Sequence, residues 1–180
     1  MSDAVSHGRY VAPARWLHWL TAGSILVILT AGIWMTYFEP VDQAVKRALY
    51  NIHESLGVTV FALALARLWV RWRNPPPPLP ADLPAMMKLG ANLNHLALYV
   101  LLIVQPVVGF LGTNAWGFPL AWFGVLPIPS PLGRHEVLAP ILSQLHWFGA
   151  LAMLLLLGIH IAAVIFHTFI RKDGMFARMA

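Results

Sequence analysis

Residues 145–167 read LHWFGALAMLLLLGIHIAAVIFH. Apart from three histidines, this is the composition of a helix buried in lipid. The histidines stand at 146, 160 and 167, at intervals of fourteen and seven residues. At about 100° per residue both intervals fall within ~40° of a whole number of turns, so one stripe of the helix holds all three imidazoles. A rise of ~1.5 Å per residue puts His146 and His160 ~21 Å apart along the axis and His167 ~10 Å further on. Ionisable side chains inside a bilayer are uncommon and usually functional. The stretch therefore decides the fold class, a membrane helix, and asks what the stripe holds.

The rest of the chain has the same character. Hydrophobic residues make up 59% and charged residues 11%, against about 25% charged in a soluble domain. The few charges are clustered, which leaves long apolar runs. There is no cysteine, and this excludes disulfides, thiolate metal sites, iron–sulfur clusters and covalent c-type haem attachment. The formal net charge is +5, but the basic residues flank apolar runs instead of forming one patch, so no nucleic-acid partner is expected. The N-terminal MSDAVSHGRYVAPAR lacks the short apolar region of a cleavable signal. The first apolar run is itself long enough to span.

About 20 mostly apolar residues cross a membrane. Four segments qualify, approximately 14–38, 48–72, 89–113 and 140–170. The first ends at Glu39-Pro40, the second at Asn74 and the prolines after it, and the third contains Pro106 as an expected kink. The expected fold is all-α, an integral-membrane bundle of four transmembrane helices read as a single domain over 1–180. The link RNPPPPLPADLP favours stiff polyproline II. The link between the third and fourth helices is rich in Gly, Pro and Trp, and predicts short interfacial pieces with Trp116 and Trp122 at headgroup depth. With the N-terminus cytoplasmic, Arg9, Arg15, Arg67, Arg71, Arg73, Lys88, Arg171, Lys172 and Arg178 fall inside, and Lys46, Arg47 and Arg134 outside. Nine against three predicts both termini cytoplasmic.

On this topology His53 and His146 share an outer level, while His18 and His160 share an inner level that His95 also reaches. Imidazoles from different helices at two depths suit two non-covalent haems b. Haem iron takes an axial nitrogen on either side, and bundle cores build cofactor sites from facing helices. Haem centres ~20 Å apart would leave edges close enough for electron transfer across the membrane. Ala22 after His18, Gly57 after His53, Gly149 after His146 and Ala163 after His160 offer flat space for a porphyrin. Zinc or copper also accepts imidazole, but His146 and His160 are too far apart to share one small ion. Histidines serving only as helix contacts would leave the set unexplained.

The segments ARWLHWLTA, NIHESLGVTVFALALARLWVRW, NHLALYVLLIVQPVVGF, LHWFGALAMLLLLGIH and FHTFIRKDGMFARM follow one another over nearly the whole chain. In this order they resemble the bacterial cytochrome b561 family, four-helix di-haem b proteins of the inner membrane. The two histidines fourteen apart, followed by the KDG-x-x-x-RM tail, are the specific part of the match. The di-haem membrane cytochromes of formate dehydrogenases and hydrogenases are similar in histidine layout. The resemblance implies His18 with His160 on an inner haem and His53 with His146 on an outer one. It implies a multi-pass place in the inner membrane and a quinone pocket beside His167. It also implies, from a characterised branch, superoxide oxidation: superoxide gives its electron to the outer haem, the electron crosses to the inner haem, ubiquinone is reduced, and oxygen is the product. A monomer or a homodimer fits.

A quinone headgroup needs a hydrogen-bond partner and a proton source, and His167 can be both near neutral pH. His95 is read as bonding a haem propionate or a quinone carbonyl. Arg67 and Arg71, four apart on the second helix, suit haem propionates or another anion. Arg171 and Lys172 anchor the helix end, and His7 and His135 are read as solvated. Lys46 and Arg47 would guide superoxide, but Glu39, Asp42, Glu54 and Glu136 share that side and leave its net charge not positive. Two functions remain. One is a superoxide:ubiquinone oxidoreductase acting alone. The other is an electron-transfer subunit linking quinone or quinol to a separate redox protein. Both need two haems and a quinone pocket.

Overall fold

The computed structural model describes residues 8–38 and 42–180. Four helices dominate: α1 (Ala12–Tyr37), α2 (Gln43–Arg73), α3 (Ala85–Ala115) and α4 (Leu138–Ile165). Each is long and apolar enough to cross a membrane, and the chain is a four-helix membrane bundle. Pro13 sits in the first turn of α1, where its missing N–H costs nothing. The Asp42 carboxylate caps α2, accepting from the N–H groups of Ala44 at 2.6 Å and Val45 at 3.4 Å. A cap of this kind contributes ~1 kcal/mol, and α2 starts five residues earlier than apolarity alone indicated. α3 runs through Pro106 without a break. α4 passes into a six-residue π-helical stretch, Phe166–Arg171, closed by Lys172 at φ 53.

Close packing runs α1 on α2, α2 on α3 and α3 on α4; among the described residues neither α1 nor α2 packs closely along α4. Val60, Ala64, Leu102 and Met153 form the buried core, flanked by Ile25, Ile28, Leu98 and Leu157. Met153 lies seven residues from both His146 and His160, so the apolar core separates the two histidine levels. Outside it, large apolar side chains such as Leu26 and Leu155 face outward, as a lipid-facing surface requires.

The Tyr10 N–H donates to the Arg178 carbonyl at 3.0 Å, and Arg178 reaches the Pro78 carbonyl at 3.0 Å. The start of α1, the C-terminal tail and the α2–α3 link therefore gather at one end, called here the terminal end. At the other end the α3–α4 link forms an antiparallel hairpin, β1 (Leu120–Trp122) with β2 (Leu126–Ile128). The Gly/Pro/Trp composition predicted only short interfacial pieces. The pairing follows from a turn at Phe123 (φ 48) and Gly124 (φ 71), which no apolar periodicity announces.

Candidate functional site

At the hairpin end the ring centres of His53 and His146 are 6.0 Å apart. His53 Nδ1 lies 3.0 Å from the Ile28 carbonyl, and His146 Nδ1 lies 3.2 Å from the Gln105 carbonyl. A carbonyl only accepts, so each Nδ1 carries the proton and each Nε2 keeps a lone pair free for a metal. In a helix those two carbonyls belong to the turns ending at Gly32 and Gly109. A Cβ at Gly32 would stand 3.2 Å from His53 Cε1, and one at Gly109 would stand 2.8 Å from His146 Cε1. Glycine at these positions lets each imidazole reach main chain of the neighbouring helix. The Gln105 side-chain amide returns a bond to the His146 carbonyl at 2.8 Å. It also fills the space against Gly149. Gly149 therefore makes room for Gln105, and the flat porphyrin space expected there is corrected. Gly57 has nothing within 4 Å of its Cβ position.

At the terminal end His18 and His160 have ring centres 6.2 Å apart, and His95 lies 5.4 Å from His160. The surroundings are side chains. Arg67 donates to His18 Nδ1 at 3.3 Å. The guanidiniums of Arg67 and Arg71 lie over the Tyr99 ring at 5.2 and 6.0 Å, cation–π contacts that hold both arginines toward α3.

The donor set fits an iron between each pair. Imidazole nitrogen binds a first-row metal at ~2.0–2.1 Å, so two rings on opposite sides of one ion have centres ~6.3 Å apart. The separations of 6.0 and 6.2 Å match this, and the 5.4 Å from His95 to His160 is shorter. The paired rings come from α2 with α4 and from α1 with α4, helix pairs that do not pack closely among the described residues.

The model of the prokaryotic cytochrome b561 family matches residues 9–180. The chain belongs to that family. Cytochrome b561 homolog 2 of Escherichia coli (strain K12) is 32% identical over 180 residues, covering 99% of this chain and 95% of its own. Cytochrome b562 of Cereibacter sphaeroides is 31% identical over 169 residues, covering 91% of this chain and 89% of its own. A Yersinia pestis protein bearing the name "Probable superoxide oxidase CybB" is 26% identical over 174 residues, covering 96% of each. Family membership makes this a multi-pass membrane electron-transfer protein and implies a haem b cofactor.

The cytochrome's two levels share a register that sequence reasoning missed. Fourteen residues separate His18 from Gly32 on α1, His53 from Arg67 on α2, His95 from Gly109 on α3, and His146 from His160 on α4. Each helix thus gives one residue to each level. The signal was present: the helix-four interval recurs on every helix, but three partners are not histidine.

Beyond His160, the His167 Nδ1–H donates to Asp173 at 2.6 Å, and Arg171 Nε donates to the same carboxylate at 2.9 Å. Arg171 also pairs with Asp82 of the α2–α3 link. Arg171 thus holds the helix end through two carboxylates. The Asp173 side chain is only 10% exposed. Burial pushes its carboxyl upward, but the bonds from His167, the Met175 N–H and Arg171 outweigh it and hold the group below the ordinary range. Asp173 was not singled out from sequence.

At the hairpin end Arg47 is exposed and Lys46 half-buried in the first turns of α2. Glu54 accepts from Thr113 at 2.9 Å, Asp42 is the α2 cap, and Arg134 pairs with Glu136 at 3.6 Å. His135 is exposed and its Nδ1 accepts from the Leu138 N–H, the first of α4, at 3.3 Å. Glu39 and His7 lie outside the described residues.

Proposed function

We propose that this chain is a di-haem cytochrome b that carries electrons across the bacterial inner membrane to quinone, oxidising superoxide to oxygen and reducing ubiquinone. The hairpin end faces the periplasm and both termini the cytoplasm. The observation that carries the reading is the pair of ring separations, 6.0 and 6.2 Å, one at each level of the bundle. His53 and His146 would hold the outer haem, and His18 and His160 the inner one. Bound there, haem b supplies a one-electron carrier whose potential depends on its axial ligands and their hydrogen bonds.

The residues around the rings do the rest. The Ile28 and Gln105 carbonyls fix the tautomer and orientation of the outer imidazoles. A metal on His18 Nε2 requires the proton on Nδ1, so Arg67 can no longer donate there. Its guanidinium is then available, with Arg71, for a haem propionate. His95, at the same level, serves a propionate or a quinone carbonyl. His167, held by Asp173, gives a proton to the quinone oxygen. Two superoxide ions release two electrons and two molecules of oxygen, and one ubiquinone takes up those electrons with two protons. Arg47 and Lys46, in the first turns of α2 at the mouth of the outer level, guide the anion.

Stopped-flow absorbance tests this on haem-loaded protein in detergent. A superoxide pulse is expected to reduce the b-type bands near the diffusional range, with reoxidation only when a soluble ubiquinone is present. Slow or absent reduction, in protein that dithionite reduces to show two haems, would favour the electron-transfer subunit with a separate redox protein as donor.

A further inference from the structure

The α3–α4 hairpin lies against α2 on the face away from the histidines. Asn51, Ser55 and Thr59 recur every four residues, and at about 100° per residue they fall 160–240° around the helix from His53. Each engages the hairpin. Asn51 donates to the Ala121 carbonyl at 3.1 Å, Ser55 Oγ accepts from the Phe123 N–H at 2.7 Å, and Thr59 Oγ1 accepts from the Trp122 indole at 3.1 Å. Ser55 is fully buried although it is on the outer face of the bundle, because the hairpin covers it.

Depth follows from the helix. Ser55 and Thr59 lie two and six residues beyond His53 toward the terminal end, ~3 and ~9 Å deeper. A 31-residue helix is ~46 Å long, which leaves ~8 Å beyond a ~30 Å hydrocarbon layer at each end when centred. Ser55, twelve residues from Gln43, is then ~10 Å inside the hydrocarbon. The turn it holds presents Val125 at 84% and Leu126 at 58% exposure. No charged residue occurs between Asn114 and Arg134.

Non-helical backbone survives in lipid only when its polar groups are satisfied. The free edge of β2 meets that condition for donors. Pro127 stands opposite Ala121 and has no N–H, so the bonded pairs are Leu120 with Ile128 and Trp122 with Leu126. The positions whose N–H would point away from β1 are therefore 127 and 129, and both are proline. The Val125 N–H is taken by the Trp122 carbonyl at 3.1 Å. A hairpin in water would not need such an edge.

We infer that the hairpin is a re-entrant element whose tip, Phe123 to Leu126, sits among the acyl chains of the leaflet at the hairpin end, deeper than headgroup level. The polar stripe on α2 serves to satisfy it there.

The chain lacks cysteine, so a single nitroxide can be placed without background. Val125→Cys and, as a rim reference, Arg134→Cys are labelled in the full haem-loaded chain in phosphatidylcholine vesicles, with the b-type spectrum reporting that each variant is folded. Collision with molecular oxygen and with a water-soluble nickel chelate gives the depth. The label at 125 is expected to be reached several-fold more by oxygen than by nickel, with the ratio reversed at 134. Equal nickel access at both sites would put the hairpin in water and overturn the inference. Spin–spin broadening at 125 that disappears on dilution with unlabelled protein would also overturn it, by showing a second copy of the chain in place of lipid.

Discussion

The two histidine levels occupy equivalent positions on the same four helices but hold their imidazoles by opposite means. At the hairpin end the four positions are Gly32, His53, Gly109 and His146; at the terminal end they are His18, Arg67, His95 and His160. The first set is neutral and uses main chain. Glycines admit the rings, and carbonyls receive Nδ1–H at 3.0 and 3.2 Å. The second set is crowded and cationic, with Arg67 3.3 Å from His18 and Tyr99 under both arginines. A carbonyl bond makes an imidazole more electron-donating, and a nearby cation favours the reduced state of a metal. Under the proposed two-haem reading, this difference would set the terminal-end haem at the higher potential, the order that passage from the hairpin end to the terminal end needs.

The largest expected effect breaks one level and spares the other. His146→Ala should lower the haem content from two to one per chain, measured by pyridine haemochrome, and His53→Ala should do the same. His95→Ala should leave two with unchanged low-spin bands; loss of one there would make His95 the ligand. Next come the glycines. Gly109→Ala puts a methyl 2.8 Å from His146 Cε1, whereas Gly32→Ala meets His53 at 3.2 Å. Overpacking of this kind costs ~1–3 kcal/mol. The first variant should disturb the electron paramagnetic resonance signal of one haem more than the second, and neither should move the other haem. Equal disturbance of both haems would mean that the levels are not separately built.

A smaller effect sharpens the energetic ordering. Arg67→Gln should lower the midpoint potential of the terminal-end haem by an amount on the order of tens of millivolts, with little change at the hairpin end, as read by optical redox titration. The smallest concerns Asp173. Its carboxyl is depressed in the folded state, so its stabilisation is complete above the ordinary carboxylate range and is lost as pH falls through the folded value. Thermal melts should show the wild type more stable than Asp173→Asn at neutral pH, with the gap closing in acid. A gap independent of pH would remove the ion-paired role of Asp173.

Much of this was legible along the chain. Apolar length located all four helices, because the bilayer imposes ~20 residues on any crossing helix. The fourteen-residue interval on α4 gave both levels, because helical rise converts sequence interval directly to depth. The α2 boundary was misplaced because Asp42 caps a polar turn that hydropathy does not count. Gln105, Gly32 and Gly109 were missed because their role is to receive a ring from another helix, and single-helix periodicity carries no such information. Asp173 was missed for a similar reason: it meets His167 only after a π-helical stretch and a left-handed residue turn the chain back.

The sequence by itself determined that this is a membrane four-helix bundle with histidines at two depths, because hydrophobic length and helical pitch are local properties. Tertiary structure alone decided which rings pair, that one level rests on main chain and the other on arginine, and that the uncharged stretch 115–133 folds as a hairpin along the back of α2. Those outcomes depend on the rotation and distance of one helix against another, which side-chain packing sets and no single segment encodes.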